Sequence, residues 1–337
     1  MWIATAGRCA AAIACSHVPN GLPVLIFCVS STDFAANQSS VSNDYQLVTL
    51  ANGEKTLFSA SYGEKMHPGL GPQAEAELLY VRQLKIRERL QSGSGELVIW
   101  DIGLGAAANA IATLRETRDL SGLLHIVSFD NTCEPLAFAL KHAGALGYVG
   151  GYQNQIAGLL QGENVQTTGT STRSVEFQNG KLQVKWVFLL GDFPTLLKSA
   201  SRQPQAVMPA PHAIYYDAFS PAKNPAMWTQ PVFNDLFQAL DPGQACALTT
   251  YSRSTLLRVT LLLAGFFVGA GHATGMKEET TVAANTPELI AEPLNRRWLE
   301  RALRSDSAEP MRKPVYTRAP LTTETADQLR RHPQFAN

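Results

Sequence analysis

The chain has 337 residues, long enough for about two domains or for one large α/β domain with extensions. Its 28 Lys and Arg balance 28 Asp and Glu, which excludes a strongly basic nucleic-acid coat protein and leaves any nucleic-acid contact to a local patch. The five cysteines form no CxxC and sit beside no metal-like histidine spacing. They read as reduced, mostly buried thiols, and no metal is expected.

In chain order, residues 1–40 show no sustained period. Their two apolar runs, Cys9–Cys15 and Leu22–Val29, are each shorter than the roughly 18 residues a membrane span needs, and Pro19 and Gly21 separate them. This stretch reads as a poorly ordered leader, and a start codon assigned too far upstream would look the same. Val259–Ala270 is also too short to span, so no membrane partner is expected and the protein reads as cytoplasmic. Tyr45–Leu50 and Thr56–Ser59 alternate around Asn52-Gly53, which predicts a hairpin. The loop His67–Pro72 then leads into a helix expected from Gln73 to about Leu90.

From Glu96 onward strands alternate with helices. Leu97–Ile102, Leu124–Phe129, Val187–Leu190, Ala213–Tyr216 and Ala245–Thr250 are short apolar runs of the kind a sheet buries on both faces. Helical stretches separate them: Ala106–Arg115, Leu136–Ala143, Phe193–Ala200, Pro231–Leu240 and Thr255–Ala264. Val175–Gln178 and Lys181–Trp186 flank Asn179-Gly180 as a second hairpin, and Phe266–Val268 with Thr280–Ala284 close the pattern. The whole predicts an α/β fold with a doubly wound, mostly parallel sheet. Beyond Pro287 the period fades, and residues 290–337 carry nine Lys and Arg against six Asp and Glu. The expected organisation is a leader (1–40), a hairpin-and-helix extension (41–95), an α/β domain (96–287) and a C-terminal tail (288–337).

In such a sheet ligands bind beyond the carboxyl ends of the strands, near the point where the strand order reverses. Asp101-Ile-Gly103-Leu-Gly105 follows the first strand and opens a helix, a place where backbone approaches a ligand closely; a structural turn reads equally well. Asp130 ends the second strand, where an acid holds both hydroxyls of a ribose or simply begins a turn. Gly191-Asp192 ends the third, facing an adenine amino group or capping the next helix. Together they suit a nucleoside-bearing cofactor. With no GxxxxGK[ST] motif and a short glycine loop, S-adenosylmethionine ranks above NAD or ATP. The fourth strand end, Tyr215–Trp228, has prolines that fix its loop, aromatic walls and one carboxylate, Asp217, at its base.

Asp217-Ala-Phe-Ser-Pro-Ala-Lys-Asn-Pro-Ala-Met-Trp228 resembles the D-G-F-[AS]-P-x-K-N-P-x-M-W signature of the methyltransferase domain of the MnmC family. Other matches follow in family order. Gly103-Leu-Gly105 with Asn109 resembles its G-F-G-T-G-x-N loop, Ser128-Phe-Asp130 its S-x-E ribose strand, and Gly191-Asp192 its G-D turn. Ala264-Gly-Phe266, Gly275-Met-Lys277-Glu278-Glu279 and the upstream His67-Pro-Gly-Leu-Gly-Pro-Gln-Ala-Glu75-Ala-Glu77 resemble further segments. The resemblance covers about residues 45–286. The chain departs from it in reading Gly-Leu-Gly-Ala-Ala, without the third glycine, in carrying Asp130 for the commoner Glu, and in a longer insert around Gln155–Lys181.

The resemblance implies a Rossmann-like class I fold with a reversed closing strand. It further implies methyl transfer from S-adenosylmethionine to the primary amine of 5-aminomethyl-2-thiouridine at the tRNA wobble position. Asp101, Gly103, Gly105, Asn109, Asp130 and Asp192 would hold the cofactor, and Asp217 would hold the amine and take up its proton. Phe219 and Trp228 would sandwich the flipped-out uracil of the anticodon loop, while Lys223, Lys277 and some tail arginines would meet phosphates. Nothing in the chain resembles the family's FAD-dependent half, so a separate enzyme would supply the amine. Two rivals stay open: a small-amine methyltransferase or aminopropyltransferase on the same sheet, which the neutral charge favours, and a decayed binding module, which the altered glycine loop suggests.

Overall fold

The computed structural model describes residues 44–92, 95–162, 165–167, 170–199, 208–273 and 278–336. The expected leader, residues 1–40, lies outside the described residues. A small antiparallel sheet comes first: β1 (Tyr45–Thr49), β2 (Lys55–Ser59) and β3 (Glu64–Lys65). The expected turn at Asn52-Gly53 joins β1 to β2, with Gly53 at φ +87° and Thr49 opposite Lys55.

The main sheet has nine strands: β4 (Glu96–Ile102), β5 (Gly122–Asp130), β6 (Val165–Thr167), β7 (Thr170–Asn179), β8 (Leu182–Leu190), β9 (Ala213–Tyr216), β10 (Ala247–Thr250), β11 (Phe267–Gly271) and β12 (Thr280–Ala284). Their spatial order is β11-β12-β10-β9-β4-β5-β8-β7-β6. The five central strands, β10 to β8, are mutually parallel. β12 runs antiparallel between β10 and β11, which is the reversed closing strand. At the other edge β6 and β7 continue the sheet antiparallel, so the insert around 155–181 widens the sheet. This is the Rossmann-like α/β architecture expected.

Alternation along the strands divides the core in two, because successive side chains point to opposite faces. Leu97 and Ile99 of β4 join one buried cluster with Ala213 and Tyr215 of β9; Val98, Trp100, Ile102, Ile214 and Tyr216 join the other. From β4 the chain lays β5 and β8 on one side and then returns to lay β9 and β10 on the other. The order therefore reverses between β4 and β9, where two neighbouring strand ends diverge and leave a crevice.

Two segments differ from the expectation. The helix foreseen over 73–90 is broken into Pro72–Ala76, a π-helical stretch Glu77–Arg82, and Ile86–Ser92, with Lys85 at φ +51° between the last two. The break falls at Gln83, whose side chain bonds Thr249 and Thr280 in the sheet, so tertiary contacts override the local helical preference. Residues 288–336 are packed rather than trailing. Trp298, Leu299, Met311, Leu329 and Phe335 join the second buried cluster. Gln334 bonds both the N–H and the carbonyl of Val268, which covers the edge that β11 would otherwise expose. No helix among the described residues is long and apolar enough to cross a membrane.

Candidate active site

A cleft of about 520 Å³ opens at the reversal of strand order. Gly103, Gly105, Asn109, Asp130, Asp192, Asp217 and Phe219, all singled out from the sequence, line it. The loop after β4 turns through three left-handed residues: Gly103 (φ +91°), Gly105 (φ +50°) and Ala107 (φ +62°). Ala107 stands where the family pattern has its third glycine, and holding an alanine there costs about 1–2 kcal/mol. Tyr148 fixes this strained corner by donating its hydroxyl hydrogen to the Ala106 carbonyl at 2.9 Å.

Asp130 lies across the loop. Its Oδ2 accepts from the Gly105 N–H at 2.8 Å and its Oδ1 from the Asn131 N–H at 2.8 Å. Burial pushes its pKa up to about 6, the backbone bonds opposing part of that rise. Asp192, exposed at the rim, accepts from both the N–H and the hydroxyl of Thr195 through Oδ2. It therefore caps the helix Phe193–Ser199 while still lining the cleft.

Asp217 is held where β9 ends. Its N–H donates to the Ile102 carbonyl of β4 at 2.9 Å, tying the two diverging strand ends together. Its Oδ2 accepts from Asn109 Nδ2 at 2.9 Å and lies 3.4 Å from His67 Nε2. Burial alone would lower the His67 pKa; the hydrogen bond and charge of Asp217 more than reverse this, leaving it above the ordinary histidine value. His67 is itself left-handed, at φ +54°, in a loop clamped by Glu75, which accepts from the N–H groups of Gly69 and Leu70. Around Asp217, Tyr80 Oη and Asn109 Oδ1 are buried without a hydrogen-bond partner. Burying such atoms is costly, so a polar ligand group in the cleft is the expected occupant.

The opposite wall comes from the small sheet. Tyr62 stacks on Phe219 with ring centroids 4.1 Å apart and planes 17° from parallel. Glu64 accepts from both the N–H and the hydroxyl of Ser220, so the hairpin is bonded to the Asp217 loop by charge as well as by ring contact.

Two sequence-based expectations need correction, and one falls outside the described residues. Trp228 is wholly buried, between Tyr216, Phe233 and Tyr251, and its indole N–H donates to the Phe219 carbonyl at 2.7 Å. It supports the loop from inside the core and presents no face to a base. Asp101 is also wholly buried and lies below the cleft, not on its wall. It accepts from Ser128 Oγ, which in turn accepts from Trp186, and burial pushes its pKa up to about 7. Lys223 is exposed, with its Nζ beside Gly63 at the edge of the cleft, a position compatible with the expected phosphate contact. Lys277 lies outside the described residues. Conversely, Tyr62, His67, Tyr80 and Tyr251 line the cleft without having been singled out. Of these only His67 had a signal, its place in the His67–Glu77 segment. Among the described residues no group of three or more His, Cys, Asp or Glu is arranged to hold a metal ion.

Comparison with known proteins agrees with this geometry. Residues 156–286 match the family model described as S-adenosyl-L-methionine-dependent methyltransferase. The chain is 31% identical over 233 residues to the tRNA 5-methylaminomethyl-2-thiouridine biosynthesis bifunctional protein MnmC of Ralstonia nicotianae, covering 68% of this chain and 33% of that protein. It is 28% identical over 265 residues to the protein of the same description from Cupriavidus metallidurans, covering 75% of this chain and 36% of the other. The chain thus spans about a third of the length of these relatives. Among solved structures, MNMC2 from Aquifex aeolicus superposes with a TM-score of 0.56 at 23% identity, over 85% of this chain and 84% of that one, which shows a shared fold. By these matches the chain is an S-adenosyl-L-methionine-dependent methyltransferase similar to the MnmC proteins over about a third of their length.

Proposed function

We propose that this protein methylates the exocyclic primary amine of 5-aminomethyl-2-thiouridine at the wobble position of tRNA. The observation that carries this reading is the Asp217 carboxylate at the reversal point, facing a cleft ringed by unpartnered buried polar atoms. The names of the relatives, which act in tRNA 5-methylaminomethyl-2-thiouridine biosynthesis, support the choice of acceptor.

The residues present fit the cofactor. A Cβ built on Gly103 would sit 2.8 Å from the Asp217 carbonyl oxygen, so only glycine leaves this part of the floor in place, and the cleft volume suits a nucleoside-sized ligand. Asp130 would hold the ribose hydroxyls and Asp192 the adenine amino group, with Gly103–Gly105 giving close backbone approach. When bound, S-adenosyl-L-methionine supplies an electrophilic methyl group on its sulfonium.

The chain's own part is alignment and proton handling. An alkyl ammonium, with a pKa near that of lysine at roughly 10, must lose a proton before its nitrogen attacks. Asp217 accepts a hydrogen bond from the amine and fixes its direction. In its unprotonated form the His67 beside it lets the pair accept that proton, its basicity raised by the carboxylate. Asn109 and the Ile102 carbonyl hold Asp217 still, which matters because displacement reactions lose rate steeply with misalignment. Tyr62 and Phe219, already stacked, offer the aromatic surface against which an unstacked base packs.

The test uses labelled S-adenosylmethionine with tRNA from cells lacking this activity, followed by nucleoside mass spectrometry. Appearance of 5-methylaminomethyl-2-thiouridine is expected. D217N should lower turnover by about 10²–10⁴ while cofactor affinity stays within twofold. Transfer to free polyamines but not to tRNA would overturn the acceptor; wild-type turnover by D217N would overturn the role of Asp217.

A further inference from the structure

Residues 312–318 form an exposed loop that the cleft does not use. All seven residues are exposed, with Val315 at 61% and Tyr316 at 38% the most exposed large apolar side chains among the described residues. Between residues 310 and 323 there are three cations, Arg312, Lys313 and Arg318, and no acid. The nearest acid in sequence, Glu309, is 17% exposed and accepts from the Thr322 N–H and the Thr325 hydroxyl. It also pairs with Arg312, whose Nη2 lies 3.7 Å away, which leaves Lys313 and Arg318 as the cations of the loop without an acidic partner among the described residues. Arg318 lies over the Tyr316 ring, its guanidinium carbon 5.9 Å from the centroid, and donates to the Tyr316 hydroxyl at 3.1 Å.

Both feet of this loop are pinned. The Met311 carbonyl accepts from the Gln230 N–H at 2.8 Å, and the Ala319 carbonyl accepts from the N–H groups of Ala308 and Glu309. The first foot connects it to the cleft. Gln230 follows the turn Pro225–Trp228, whose Met227 lines the cleft and whose Trp228 shares a buried cluster with Met311. The loop is thus a firmly based basic projection, anchored beside the turn that carries Met227 to the cleft.

We propose that residues 312–318 are a docking surface for the phosphodiester backbone of the tRNA acceptor, beyond the nucleotide being modified. This rests on the wobble-position reading above. Lys313 and Arg318 have no carboxylate within ion-pair distance among the described residues, so their charges are available to phosphates. The Tyr316–Arg318 pair adds a planar, cationic face of the kind on which a base stacks, which is why RNA fits better than an acidic protein surface. The chain's neutral overall charge is compatible with this, because the contact is local and loses its reach within a Debye length.

The test measures binding of the full-length protein to an unmodified tRNA and to its anticodon stem-loop, across a salt series. R312A/K313A/R318A should weaken tRNA binding about tenfold or more and lower the slope of log K against log salt by about 2–3. Its turnover at saturating tRNA should stay at the wild-type value. Y316A should weaken binding several-fold with the salt slope unchanged. Thermal melting checks the fold, and K313A alone gives the same direction more weakly if the triple variant is less stable. If wild type methylates tRNA and the triple variant binds and titrates with salt as wild type does, the loop is not the docking surface. If wild type neither binds nor methylates tRNA, the wobble-position reading itself falls, and this surface with it.

Discussion

The wall of the cleft formed by Gly103–Ala106, Asp130 and Asp192 follows three strand ends, those of β4, β5 and β8, that lie side by side in the sheet. The facing wall sets residues 62–67 of the small sheet against residues 217–220 after β9, joined by the Tyr62–Phe219 stack and the Glu64–Ser220 bonds. The first wall inherits its geometry from backbone pairing, whose register fixes where each side chain sits. The second exists only because side chains far apart in the chain meet. A cofactor common to many enzymes suits the first kind of surface, and an acceptor particular to one enzyme suits the second.

That division is testable by breaking each wall separately. The largest effect in this set is expected from H67Q, where loss of the paired imidazole should cut turnover about 10- to 100-fold at unchanged cofactor affinity. Because the wild-type His67 pKa is raised, turnover should increase with pH through a value above 6.5 as the pair loses its proton, and H67Q should lose that limb. A pH–rate profile unaltered by the substitution would exclude His67 from proton handling. Next comes D130N, expected to weaken cofactor binding about tenfold with turnover preserved at saturation. In wild type, protonation of Asp130 as pH falls through about 6 should weaken cofactor binding, while D130N should be flat over the same range. Calorimetric titration at pH 5 and pH 7.5 decides this. The smallest effect belongs to Y62A, which removes one ring of the stack and should raise KM for tRNA about three- to tenfold with cofactor affinity untouched. An equal change in both affinities would mean that the two walls are not separable.

The two walls also differed in how far the sequence revealed them. Apolar runs ending in Gly or Asp located the strand ends, because strand, turn and helix start are local patterns. Tyr62 carried no such signal, since its partner Phe219 follows a strand on the other side of the sheet reversal. Trp228 was misjudged for a related reason. An aromatic residue in a loop next to a carboxylate reads as available to ligand, but the turn Pro225–Trp228 points it inward to meet Tyr216 and Phe233. The break at Gln83 and the docking of residues 288–336 were illegible too, because both depend on contacts with β10, β11 and β12 that no window of sequence contains.

The closeness of Gly103 to Asp217 bears on how this protein can change. The floor proposed to lie under the cofactor packs directly against the main chain of Asp217, with no room for even a methyl group between them. Altering that floor to admit a different donor would displace the group that aims the nucleophile. Divergence within this architecture is confined to the rim and the hairpin, where a new acceptor can be accommodated while the donor stays the same.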